Sequence, residues 1–164
     1  YLQSVQPQTA NTAGGSVIDE DAPVRVASVV IRNHRGEADA PLSYGAAGCF
    51  EVEYEVVAPV PDAVLGVSFE NAYGAPLGGL TSRLAGIKLD VSRPRAVMRL
   101  VLDPVIFTRG LYKLSVSIQD EKLQRFFDVK PRVTTFTVEG PSLASREVAG
   151  HVIYPHHWQQ DGDA

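Results

Sequence analysis

Hydrophobic residues in this chain recur in short alternating or apolar runs, at 24 to 32, 49 to 57, 64 to 70, 76 to 80, 95 to 102, 111 to 119 and 131 to 138, separated by Gly, Pro and Asp. Period-2 alternation places successive side chains on opposite faces of a strand. Seven such runs with turn residues between them predict a sandwich or barrel. No segment keeps helical spacing over three turns, and β-branched residues are frequent throughout, so the expected class is all-β. Gly110 followed by Tyr112 at the start of a run has the form of a tyrosine corner, in which a phenol hydroxyl ties a sandwich corner to nearby backbone. An ordinary core tyrosine fits the same residues equally well. Leu114 stands where an antibody domain has a disulfide cysteine, and no Trp precedes Trp158. The expected fold is therefore an immunoglobulin-like antiparallel β-sandwich without the antibody hallmarks.

Alternation also assigns faces. In the run at 49 to 57, Phe50, Val52, Tyr54 and Val56 are expected inside and Glu51, Glu53 and Glu55 outside; in the run at 95 to 102, Ala96, Met98, Leu100 and Leu102 are inside and Arg95 and Arg99 outside. The opposite outer charges predict that these two strands are antiparallel neighbours, each cross-strand pair contributing roughly 0.2–1 kcal/mol. Two other runs carry a different outer surface. With Leu65, Val67 and Phe69 inside, Ser68 and Glu70 face out; with Leu114, Val116 and Ile118 inside, Lys113, Ser115, Ser117 and Gln119 face out, and Thr135 and Thr137 extend that surface. The stretch FENAYGAPLGGLTS reads as a tight hairpin with Asn71, Tyr73 and Thr81 at its rim. Hydroxyls and amides both donate and accept, so such a face can exchange hydrogen bonds with a polyhydroxylated ligand. The plainer account, an antiparallel sheet turning polar side chains to solvent, explains the same pattern.

Composition narrows the function. At 164 residues, 45% hydrophobic and 21% charged, the chain has the balance of one globular domain with a core. Of the net charge of −4, −3 falls on residues 1–23 through Asp19, Glu20 and Asp21, leaving −1 on residues 24–164. Arg83, Lys88, Arg93, Arg95 and Arg99 form the nearest approach to a basic patch, and a solvated strand surface accounts for them; no nucleic-acid partner is expected. Cys49 is the one cysteine, which excludes an intrachain disulfide and zinc sites built on Cys pairs and favours a reducing compartment. Residues 1–23, rich in Gln, Ser, Thr, Ala and Gly, read as a flexible linker, and a chain starting at Tyr1 without Met, signal pattern or membrane span reads as a piece of a longer protein.

Enzyme chemistry finds little support. Glu70 and Asp120 could be imagined as a glycosidase pair, but acids at strand edges and turns are usually solvated. No G-x-S-x-G turn is present for a serine nucleophile. His151, His156 and His157 lie close together before Trp158, yet adjacent histidines on an extended strand point to opposite sides, and no acidic or cysteine cluster accompanies them. Neither a metal nor another cofactor is expected, and a strand docking Val152, Tyr154 and Trp158 is the simpler account of this segment.

Four segments in order, PDAVLGVSFENAYGAPLGGLTS, TRGLYKLSVSIQD, RFFDVKPRVTTFTVEG and GHVIYPHHW, resemble the C-terminal carbohydrate-binding domain of the ATP-binding subunit of polysaccharide-exporting ABC transporters, called Wzt in O-antigen export. The resemblance spans roughly residues 24 to 158. It implies a non-catalytic β-sandwich that binds the modified non-reducing end of a finished polysaccharide, of the O-antigen kind found in lipopolysaccharide, and so couples chain completion to export. It further implies a transmembrane transporter subunit as partner, a cytoplasmic place at the inner face of the inner membrane, and a homodimer exchanging C-terminal strands. By motif it carries the ligand role onto Asn71, Tyr73 and Thr81; face alternation adds Ser68, Ser115, Ser117 and Gln119. Tyr73 is the one aromatic expected near that face for stacking on a sugar. The phosphate-binding loop of an ATPase, G-x-x-x-x-G-K-[ST], does not occur. The domain reading is thus linker 1–23, carbohydrate-binding sandwich 24–140, and C-terminal strand and tail 141–164. The alternative is a structural or adhesive immunoglobulin-like interaction module.

Overall fold

The computed structural model describes residues 21–140 and 150–153. The readings placed on residues 1–20, 141–149 and 154–164 lie outside the described residues: most of the linker, most of the C-terminal strand and tail with its exchange, His156, His157, Tyr154 and Trp158. Strands follow the alternating runs closely. They are β1 (Val24–Arg32), β2 (Leu42–Ser43), β3 (Gly48–Val56), β4 (Ala63–Asn71), β5 (Pro76–Thr81), β6 (Arg95–Leu102), β7 (Gly110–Asp120) and β8 (Phe126–Glu139), with one 3-10 turn at Ser82–Ala85 after β5. They form two layers, a sheet of order β1-β3-β6 and a sheet of order β2-β8-β7-β4-β5. All pairings are antiparallel except that of the two-residue β2 with β8. The fold is the expected all-β sandwich.

In the smaller sheet the charge argument holds in register. Glu51 lies across from Arg99 and Glu55 across from Arg95, and Glu51 also receives Arg32 from β1 at 2.9 Å. One expectation is corrected here. Ala96, Met98, Leu100 and Leu102 are only partly buried, because the sandwich is open along β6, where Met98 and Leu100 line a cleft between the layers. Phe50, Val52 and Tyr54, on the central strand, are sealed.

Phe50, Phe69, Phe107, Tyr112 and Phe136 form an aromatic centre between the sheets, with ring centroids 5.0–6.1 Å apart. Tyr112 is buried, and its hydroxyl donates to the Thr108 carbonyl at 2.7 Å, four residues upstream. That is the tyrosine-corner geometry, so the residue is both a corner tie and a core ring. Burial raises its pKa above the ordinary phenol value, and the Thr108 side chain opposes this.

β8 begins at Phe126 and not near residue 131. Its first half carries Asp128 to the inner side, 4% exposed, where Oδ2 accepts the Val26 N–H at 2.7 Å and Oδ1 faces Lys130 Nζ at 3.3 Å. β1 has an irregularity between Val26 and Ser28, and a bulge of this kind leaves a backbone donor without a ladder partner. The carboxylate satisfies it across the two layers.

Candidate ligand-binding face

The outer side of the large sheet is assembled from β5, β4, β7 and β8. Register puts Gly66 opposite Thr81 on one side and Ser117 on the other, and Ser68 opposite Gly79 and Ser115. Residues paired across strands share a face, so all six open outward together. They surround a shallow open trough of about 330 Å³ whose lining also includes Gln119, Phe126 and Val129. This volume is near the lower end for small-molecule sites, about 300–1,000 Å³.

Two glycines shape it. A Cβ on Gly66 would lie 2.6 Å from Ser117 Oγ and 3.1 Å from Gln119 Nε2, and one on Gly79 would lie 2.7 Å from the Val67 carbonyl. The polar groups close over space that any other residue would fill. Ser115 Oγ accepts the Arg132 N–H at 2.9 Å, and Ser117 Oγ accepts weakly from Gln119 Nε2 at 3.4 Å. Each serine therefore keeps its own O–H to donate.

The seven residues expected at the site separate into two groups. Ser68, Thr81, Ser115, Ser117 and Gln119 converge on the trough. Asn71 and Tyr73 do not line it. Asn71 is 6% exposed; its Oδ1 accepts the N–H groups of Tyr73 at 3.0 Å and Ala75 at 2.8 Å. This is an Asx-type turn, so the side chain builds the hairpin tip from inside. With Oδ1 so used, Nδ2 faces His151 Nε2 at 3.1 Å, which requires that ring nitrogen to accept, with the imidazole proton on Nδ1. Tyr73, at the tip, is 92% exposed.

Sequence reasoning missed Phe126, which stands opposite Gln119 and is 57% exposed on the same face. The signal was the pair Phe126-Phe127: Phe127 is buried, and an aromatic pair spanning both faces marks a strand where the turn residues before it suggest a loop.

Charge gathers beyond one end of the trough. Glu70 pairs with Arg132 Nε at 2.9 Å and lies directly across from Lys113. The glycosidase pair is excluded by geometry. Asp120 lies seven residues along β7 from Lys113, the partner of Glu70, about 23 Å at the strand rise, whereas glycosidase carboxyls lie within about 9.5 Å. Asp120 is a turn residue whose Oδ1 accepts the N–H groups of Gln124 and Arg125, both at 2.7 Å, and the Arg125 bond foremost holds its pKa below the usual carboxylate value. Among the described residues no group of three or more His, Cys, Asp or Glu is placed to hold a metal ion, and no helix is long and apolar enough to cross a membrane.

A second cleft, of about 260 Å³, opens between the layers at the β5 and β6 edges and is lined mainly by Leu65, Leu80, Leu84, Met98 and Leu100. Its polar groups are Thr81, Ser82 and Arg99, whereas the trough brings together five uncharged hydroxyl and amide side chains, a set suited to a polyol.

Comparison with known proteins agrees with this architecture. A crystal structure of the C-terminal domain of wzt superposes with a TM-score of 0.73 at 20% identity, covering 85% of this chain and 84% of that one; at this identity the likeness speaks for the fold alone. Bifidobacterium dentium β-glucuronidase complexed with coumarin-3-O-glucuronide gives a TM-score of 0.42 at 14% identity over 71% of this chain and 18% of that one. The CARDB domain of the PF1109 protein from Pyrococcus furiosus gives 0.40 at 14% over 70% and 89%. Neither of these two is similar enough to carry an argument. No curated protein sequence matches the chain. Residues 19–153 match the Wzt C-terminal domain family, and the chain belongs to that family, which is associated with polysaccharide export by ABC transporters.

Proposed function

We propose that the outer face of the five-stranded sheet recognises, without chemical change, the modified non-reducing end of an exported polysaccharide such as an O-antigen. In this reading the domain is carried by the ATP-binding subunit of an ABC transporter at the cytoplasmic side of the inner membrane, and occupancy of the trough reports to the transmembrane subunit that the chain is complete. The observation that supports it is the convergence of Ser68, Thr81, Ser115, Ser117 and Gln119 around one glycine-floored trough beside an exposed aromatic ring. Five polar side chains with donors and acceptors free for exchange suit a polyhydroxylated ligand. Affinity per site is modest, because each bond formed replaces one to water.

The test is calorimetric titration of the chain with the purified native polymer and with the same polymer stripped of its terminal modification. Binding of the first and much weaker binding of the second is expected. Equal binding to both, or none to either, overturns the proposal.

A further inference from the structure

We infer that the trough, taken as the glycan site proposed above, selects an uncharged sugar terminus whose ring face lies on Phe126 and discriminates against an acidic one. Every side chain that lines it is uncharged. The charged groups of this face lie beyond its ends. At one end, past Ser68 and Ser115, Arg132 is held by Glu70 at 2.9 Å and Lys113 stands directly across from the same carboxylate; one of these two cations is compensated by Glu70, and neither is among the residues that line the trough. At the other end the turn after Gln119 carries Asp120, an ionised carboxylate anchored to backbone N–H groups. Arg125, from that turn, stacks over the ring of Phe127 at 5.5 Å, and Phe127 faces the core.

A carboxylate or phosphate entering the trough would give up water and gain neutral hydroxyls and one amide, without a cation. The trough is shallow and open, so only part of that water is given up, and even this partial loss without pairing is unfavourable for an ion. Phe126 adds a second bias. The face of an aromatic ring carries negative charge in its quadrupole, which favours the C–H face of a neutral pyranose and disfavours an anion. Gln119, directly opposite Phe126, and Ser117, two residues before it, reach hydroxyls at the edge of a ring seated there. Gly66 keeps the seat open, since a methyl group at that position would press on Ser117 Oγ and Gln119 Nε2.

The experiment uses the whole chain against an array of glycans ended by neutral hexoses and the same glycans ended by the matching hexuronates. Binders are expected in the neutral set, with the uronate counterpart of each at least about tenfold weaker. Phe126→Ala is expected to weaken the neutral binders by about tenfold, Phe126→Tyr to retain them, and Gly66→Ala to weaken them while both Phe126 variants keep the wild-type melting temperature. The inference is overturned if a uronate-ended glycan binds as tightly as its neutral counterpart, if Phe126→Ala binds like wild type, or if neither set yields a binder. Titration with the purified native polymer separates the two levels: polymer binding alongside any of those results leaves the glycan reading standing and removes only the preference for a neutral terminus, whereas absence of polymer binding removes both.

Discussion

Ser115 and Ser117 are two residues apart on β7 and look interchangeable, yet the structure gives them different work, and replacing each by alanine separates stability from binding. Ser115 faces the point where β8 changes register: Leu114 pairs with Thr134 but Val116 pairs with Lys130, so β8 carries two extra residues there. Arg132, inside this bulge, has a φ of 50°, and its N–H has lost its ladder partner and is taken by Ser115 Oγ at 2.9 Å. Ser115→Ala removes a neutral hydrogen bond at a partly solvated site, a loss of about 1 kcal/mol. For a folded body of about 120 residues, with an unfolding entropy near 2.1 cal/mol/K per residue, that lowers Tm by about 4 °C. Ser117 supports no backbone group and makes one long contact with Gln119, so Ser117→Ala is expected to stay within about 0.5 kcal/mol of wild type. In binding the two converge. Under the proposed function each variant is expected to lose one hydrogen bond to the polysaccharide end, about 0.5–1.5 kcal/mol, or roughly 2–12-fold in Kd. Thermal denaturation and titration with the native polymer, run on both variants, check this. A Ser117→Ala protein that melts as low as Ser115→Ala, or two variants that bind the polymer as wild type does, would refute the reasoning.

Two further outcomes follow from the packing and the charges. Asp128→Ala is expected to cost about 3 kcal/mol, because it leaves the buried Val26 N–H without its acceptor and removes the partner of Lys130; Asp128→Asn, which keeps an acceptor, is expected to cost less, and a urea midpoint equal for the two variants would count against the inter-sheet tie. Acid unfolding has a defined sign. Arg99 and then Arg32 hold the Glu51 pKa below its ordinary value, and Asp120 and Asp90 are lowered too. A carboxyl whose native pKa is depressed contributes stability in full above its unfolded value, about 4, and loses it as pH falls through the native value. Urea midpoints should therefore hold from neutral pH down to about 4 and fall below it, less steeply in Glu51→Gln; an unchanged slope in that variant would remove the Arg99–Glu51–Arg32 arrangement as a cause.

What the sequence shows of this protein depends on how far apart the cooperating residues lie. Alternation is a local signal, and it places β1, β3, β4, β6 and β7 within a residue of their observed bounds; the Glu and Arg rows even select the β3–β6 pairing. The first half of β8 escapes because its local pattern is broken for a non-local reason. Phe126, Phe127 and Asp128 follow no period of two, since the register slips between Ile118 and Gln119 and the inward Asp128 answers a donor freed 102 residues away in β1. Without that strand the face lacks Phe126, and the aromatic sought for sugar stacking falls by default to Tyr73. Asn71 is misplaced by the opposite error: a polar residue at a hairpin reads as rim, although an asparagine whose side chain bonds the backbone two and four residues on is spent inside the turn. The trough itself has no local signature. Gly66 and Gly79 are ordinary weak points of a strand when read singly, and they become a floor only when the register of β5, β4 and β7 sets Gly66 between Thr81 and Ser117 and Gly79 against Ser68. A trough made by what is missing at two positions of β4 and β5 appears once the strands are aligned, which is why the shared polar face was legible from alternation and the concavity in it was not.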